Sequence, residues 1–175
     1  GVATHVISGN SYRHEWREQK DTLWQLSWRI PDLAPGTTIF LYHDGWKERH
    51  PADYIYAMPL NLIYARQNDA PKLAYWVKRL DHETLPRIVE ETEKGVFYRR
   101  IRNLEFSGSS ENSLVIWRRY PGCLHVLNTE SASGLFVPPL LEEVIDFSDI
   151  RLINYQQGLG GGLPRSIFGP EPPHT

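Results

Sequence analysis

Twenty residues with helical spacing, "SYRHEWREQKDTLWQLSWRI" (11–30), stop at Pro31 and give way within six residues to "TTIFLYHD" (37–44). Proline lacks the N–H that a helix interior needs, and "PDLAPG" carries turn-forming residues. The second segment is a β-branched and aromatic run of strand length. The chain is thereby committed early to a helix folded back on a buried strand, the opening of an α/β protein.

At about 100° per residue, Tyr12, Trp16, Leu23, Leu26 and Ile30 share one stripe of that helix, expected to face the core. Arg13, Arg17, Trp24 and Trp28 form a second stripe, offset by roughly a third of a turn. Two readings of this second stripe stand side by side. It is either more core or the underside of a lid, with Arg stacked on Trp, or a membrane-interface or partner-docking face, because Trp and Arg tolerate a half-wet boundary.

Helical spacing resumes in "PADYIYAMPLNLIYA" (51–65), with Pro51 suited to a first turn and Pro59 interrupting it. "KLAYWVKRL" (72–80) reads as a strand, and "DHETLPRIVEETEKG" as a short helix closed by Gly95. Beyond Gly95, "VFYRRIRNLEFSG", "NSLVIWRRYPG" and "CLHVLN" read as strands of a β-meander with tight turns between them. "PPLLEEVIDFS" closes the series as a short helix. The expected architecture is a single α/β domain over 1–157, a mixed sheet flanked by helices, with a long N-terminal helix and the meander in the second half. Residues 158–175, opening on "GLGGGLP", read as a Gly/Pro-rich irregular tail or linker: the glycines open no helix and no Lys-Ser/Thr pair follows them.

A formal net charge of −2 leaves no electrostatic footprint for nucleic acid or for an anionic membrane surface. Cys123 is the only cysteine, so no internal disulfide forms; its apolar flanks predict a buried packing residue. No run of 18 apolar residues occurs, so no transmembrane helix is expected within the chain. Gly1 in place of a methionine reads as the start of an excised piece of a longer protein.

The densest polar cluster is "YHDGWKERHPAD", where His43, Asp44, His50 and Asp53 follow the first strand, a common place for ligands in α/β sheets. These four are the catalytic candidates, suited to a small hydrolase or transferase if they converge. Their spacing matches no metal motif, and a solvated turn at Asp44-Gly45 with Asp53 near a helix start explains them equally. No metal or cofactor is expected. Arg99, Arg102 and Trp117 are candidate ligand-binding residues on the meander, where clustered arginines would meet phosphate or carboxylate; a charged sheet face is the plainer reading. Glu90, Glu91 and Glu93 are spaced for a helix surface rather than a glycosidase pair.

Three stretches together carry a family resemblance. Trp16, Gln19, Gln25, Leu26, Arg29, Pro31, Leu33, Pro35, Gly36 and Thr37 fit a "W-x-x-Q … QL-x-x-R-x-P-x-L-x-P-G-T" juncture; Cys123, Leu124, Val126 and Leu127 fit a "CL-x-V-L" strand; "IFGPEPPHT" fits a segment preceding a further aromatic region. The combination resembles the C-terminal soluble domain of uncharacterised multi-spanning bacterial membrane proteins, some described as glycosyltransferase-like. Asp149 departs from the pattern, which has Asn after Ser148. The resemblance implies an extracytoplasmic domain on the bacterial cell membrane, following the last membrane helices of the same polypeptide. It implies a binding or scaffolding role, with Arg13, Arg17, Trp24 and Trp28 at the bilayer surface or on a partner, and supplies no catalytic residue.

Overall fold

The strand that follows the long helix is apolar on both faces, and a strand of that kind has to be covered twice. A computed structural model describes residues 2–44, 52–65, 71–119 and 122–153, with side chains from Tyr12 onward. Helix α1 spans Val2–Arg29 and ends just before Pro31. Strand β1 is Thr38–His43, helix α2 Tyr54–Tyr64 with Pro59 inside it, and strand β3 Trp76–Arg79, preceded by the two-residue strand β2, Lys72–Leu73. Helix α3 is Leu85–Glu93, closed by Gly95 at φ +78°. Strands β4 (Val96–Ile101), β5 (Leu104–Ser109), β6 (Ser113–Arg118) and β7 (Leu124–Leu127) fill the second half. Short helices α4 (Thr129–Ala132) and α5 (Pro139–Glu142) follow.

The protein is α/β, with mixed sheets flanked by helices, a long N-terminal helix and a strand-rich second half. The larger sheet has the order β3-β1-β6-β7, with β1 parallel to both neighbours and β7 antiparallel on the edge. Ile39, Leu41, Val77, Leu114 and Ile116 face α1 and α2, meeting Leu23, Leu26, Ile30 and Leu60. Phe40, Val115, Trp117 and Leu127 face the other way, against α3, α5 and the second sheet. That second sheet, β2-β5-β4, stacks on the first through Phe40 edge-on to Phe97 and Trp76 stacked on Phe106. Three layers result, with β1 and β6 buried from both sides as apolar parallel strands require.

Several expectations are corrected. The 72–80 segment is two strands, β2 and β3, in different sheets. The break between them is held by Asn61 of α2, whose side-chain oxygen accepts from the Ala74 and Tyr75 N–H groups and whose amide donates to the Tyr75 carbonyl. The late strands form two hairpins, β4–β5 and β6–β7, one in each sheet. Cys123 lies just before β7 and is exposed, because burial begins one residue later at Leu124. Tyr12 and Trp16, expected in the core stripe, are 72% and 57% exposed. The first buried side chain described on α1 is Gln19: the helix starts before the sheet it covers. The tail 158–175 lies outside the described residues.

Candidate functional site

Three regions bear on function: the outer stripe of α1, the carboxyl ends of the parallel strands, and the outer edge of β7. Of the first, Arg13, Arg17, Trp24 and Trp28 are all exposed, Trp24 by 42% and Trp28 by 63%. The two indoles touch, with ring centroids 5.6 Å apart. Turned away from the Leu23–Leu26–Ile30 stripe, these residues form an apolar and cationic face on a helix otherwise fixed to the sheet. That fixation is polar as well as apolar. Asp21 pairs with Arg118, and the Gln25 side-chain oxygen accepts from the Leu124 N–H at 2.8 Å. The Tyr64 hydroxyl donates to the Ile30 carbonyl at 2.7 Å.

At the carboxyl ends, consecutive residues of β1 point to opposite faces. His43 turns under α1 beside Arg118, its partner across the sheet, and is 3% exposed. Burial, and then the Arg118 charge, lower its pKa to about 4. Asp44 is exposed and accepts from the Trp117 indole N–H at 2.8 Å. Asp53 accepts from the Arg79 N–H at 3.0 Å and lies 3.7 Å from the Lys78 ammonium. Lys78 is buried, and that burial lowers its pKa against the opposing pull of Asp53. His43, Asp44 and Asp53 thus engage different neighbours: Arg118, Trp117, and Arg79 with Lys78. His50 lies outside the described residues. Among the described residues, no group of three or more His, Cys, Asp or Glu is placed to hold a metal ion.

The ligand-binding candidates are spread over two sheets. Arg99 on β4 pairs with Glu91 of α3. Arg102 sits at the tip of the β4–β5 hairpin in the left-handed region, φ 54°. Trp117 lies on β6 of the other sheet, against His125 and with the Arg119 guanidinium 5.7 Å from its ring centroid. Arg118, next to Trp117 on β6, belongs to the α1 side, where it pairs with Asp21 and donates to the Gly122 carbonyl.

The third region was not singled out by the sequence. A groove of about 360 Å³ runs along β7, lined by Leu124, His125, Val126 and Leu127 together with Arg29, Ser131 and Leu135. The available signal was the position of "CLHVLN" as the last strand, with no later strand to cover it. Burial lowers the His125 pKa, and the guanidinium charges of Arg29 and Arg119 add to the effect.

Among the described residues, no helix is long and apolar enough to cross a membrane. Comparison with protein-family models, curated proteins and solved structures finds no match to this chain.

Proposed function

We propose that this chain is a non-catalytic docking domain of a larger multi-spanning bacterial membrane protein. It rests against the extracytoplasmic surface of the bilayer through the outer stripe of α1 and serves the parent by binding or scaffolding. The observation that carries this reading is the exposure of Trp24 and Trp28 beside Arg13 and Arg17 on a helix whose Leu23, Leu26 and Ile30 are buried in the core. Exposed tryptophans in contact with each other are unusual on a surface meant only for water. Indole and guanidinium together suit the headgroup layer, where one end of a side chain is apolar and the other wet. The sequence resemblance, which implies a membrane-spanning neighbour before α1, supports the same reading. Any sugar-transfer chemistry of such a parent would lie outside this domain.

The test is co-sedimentation with vesicles of phosphatidylethanolamine and phosphatidylglycerol, comparing the wild type with Trp24→Ala/Trp28→Ala. The wild type should pellet with lipid and the double variant should stay in solution, both with the same far-ultraviolet circular dichroism. A wild type that ignores the vesicles, or a folded double variant that binds them equally well, overturns the reading.

A further inference from the structure

We propose that the groove along β7 binds a small phosphate ester with an apolar stem, its phosphate gripped by the side chains of Arg29 and His125.

The two side chains reach the groove from different elements. Arg29 is the last residue of α1 and His125 lies on β7, and both line the same cavity of about 360 Å³. Both are open to a partner, Arg29 exposed and His125 half-buried. Among the described residues, no ion pair or hydrogen bond engages either side chain; the His125 ring rests against Trp117. The Arg29 guanidinium acts electrostatically on the imidazole, as does that of Arg119 beside Trp117, so the two groove side chains are within reach of one anion. No carboxylate lines the groove: Asp32 and Glu130, close in the chain to Arg29 and Ser131, are not among its walls.

This pairing selects phosphate. A guanidinium presents a planar fork that takes two oxygens of an anion. A carboxylate then has no third oxygen to offer. A phosphate ester has one left to accept from the imidazole N–H, so a single anion uses both side chains. The rest of the lining selects the stem. Leu124 and Leu127 are buried beneath the groove, and Leu135, 42% exposed, forms a wall. The volume is near the lower end of small-molecule sites, roughly 300–1,000 Å³, which suits a short stem. A soluble phosphate ester and a phospholipid headgroup share this chemistry. The inference is independent of the bilayer contact proposed for α1, because none of Arg13, Arg17, Trp24 and Trp28 lines the groove.

Butyl phosphate is the probe, titrated into the intact, isotope-labelled protein, with inorganic phosphate and monomeric dihexanoyl phosphatidic acid as parallel arms. The His125 ring signals should shift. Its pKa, lowered in the free protein by burial and by the Arg29 and Arg119 charges, should rise as the anion opposes those charges. Arg29→Gln should weaken binding by on the order of tenfold with an unchanged far-ultraviolet circular dichroism spectrum, since Arg29 is exposed. Leu135→Ser should reduce the affinity for butyl phosphate to that for inorganic phosphate. Tighter binding of the phosphatidic acid than of butyl phosphate would support the site with a lipid headgroup as its source, and weaker binding would support it with a soluble ester. An unmoved His125 signal at millimolar butyl phosphate overturns the proposal. Inorganic phosphate binding as tightly as butyl phosphate also overturns it, since the groove would then hold an adventitious ion only.

Discussion

His43 on β1 lies directly across from Arg118 on β6, and both are buried on the side where Asp21 of α1 meets Arg118. The two residues solve the same burial problem in different ways. Arg118 pairs with Asp21 and donates to the Arg119 and Gly122 carbonyls. His43 stays neutral, because burial and the neighbouring guanidinium both oppose a second positive charge.

That neutrality makes stability depend on pH in a defined window. The pKa of His43 is about 4 in the folded protein against an ordinary value of 6.5. Between those values the unfolded chain takes up a proton that the folded chain refuses, so stability is full above the upper value and falls as pH drops through the window. The full effect is on the order of 3 kcal/mol at about 1.4 kcal/mol per pKa unit. Urea unfolding at pH 7 and at pH 4.5 should show a smaller loss for His43→Gln than for the wild type. Equal losses would mean that His43 is charged in the folded state.

Asn61 is a second buried polar group with a specific structural role. It fastens α2 to the two-residue break where the chain leaves the small sheet for the large one, using all of its hydrogen-bonding capacity on Ala57, Ala74 and Tyr75. Asn61→Ala leaves two inward N–H groups without a partner. A destabilisation of about 3 kcal/mol or more is expected in denaturant unfolding. A loss below about 1 kcal/mol would show that water replaces the amide at little cost.

The same residue explains why the fold was only partly legible in the sequence. Local signals gave the end of α1 at Pro31, the apolar strand β1, the helix before Gly95 and the α/β class, because periodicity, proline and glycine act over a few residues. The split of 72–80 was not legible, since "KLAYWVKRL" is a continuous strand by composition and its break is imposed by a side chain on another element. The division of the late strands into two sheets is likewise non-local, set by the fit of Phe97 and Phe106 against Phe40 and Trp76. Of the candidate sites, the outer stripe of α1 could be read from helical spacing alone. The exposure of Trp16 could not, because the register of a helix says which residues share a stripe but not where the covering sheet begins. The groove on β7 depends on which strand ends up at the edge.

Gly108 on β5 lies tight against Gly36, in the turn that leads into β1. A β-carbon there would lie 2.6 Å from the Gly36 carbonyl oxygen and 2.7 Å from the Phe106 ring. The first of these is backbone and cannot rotate away, so β5 itself would have to move. Gly108→Ala should destabilise by about 1–3 kcal/mol, the range of an overpacked core, despite removing a flexible residue from a strand. An unchanged melting temperature would mean that the turn at Gly36 yields freely.

The two stripes of α1 give the last test, a contrast within one helix. Leu26 is fully buried against the sheet, whereas Trp28, two residues on, is 63% exposed. Leu26→Ala should cost about 2–5 kcal/mol, the range for a truncated core leucine. Trp28→Ala and Trp16→Ala should each stay within about 0.5 kcal/mol of the wild type, as surface changes do. The larger side chain would then matter less to folding than the smaller one, which follows only if α1 overhangs the sheet and turns its tryptophans outward. A loss at Trp16 as large as that at Leu26 would instead return Trp16 to the core stripe predicted from helical spacing. The bilayer contact proposed for the outer stripe would stand separately, since it rests on Trp24 and Trp28.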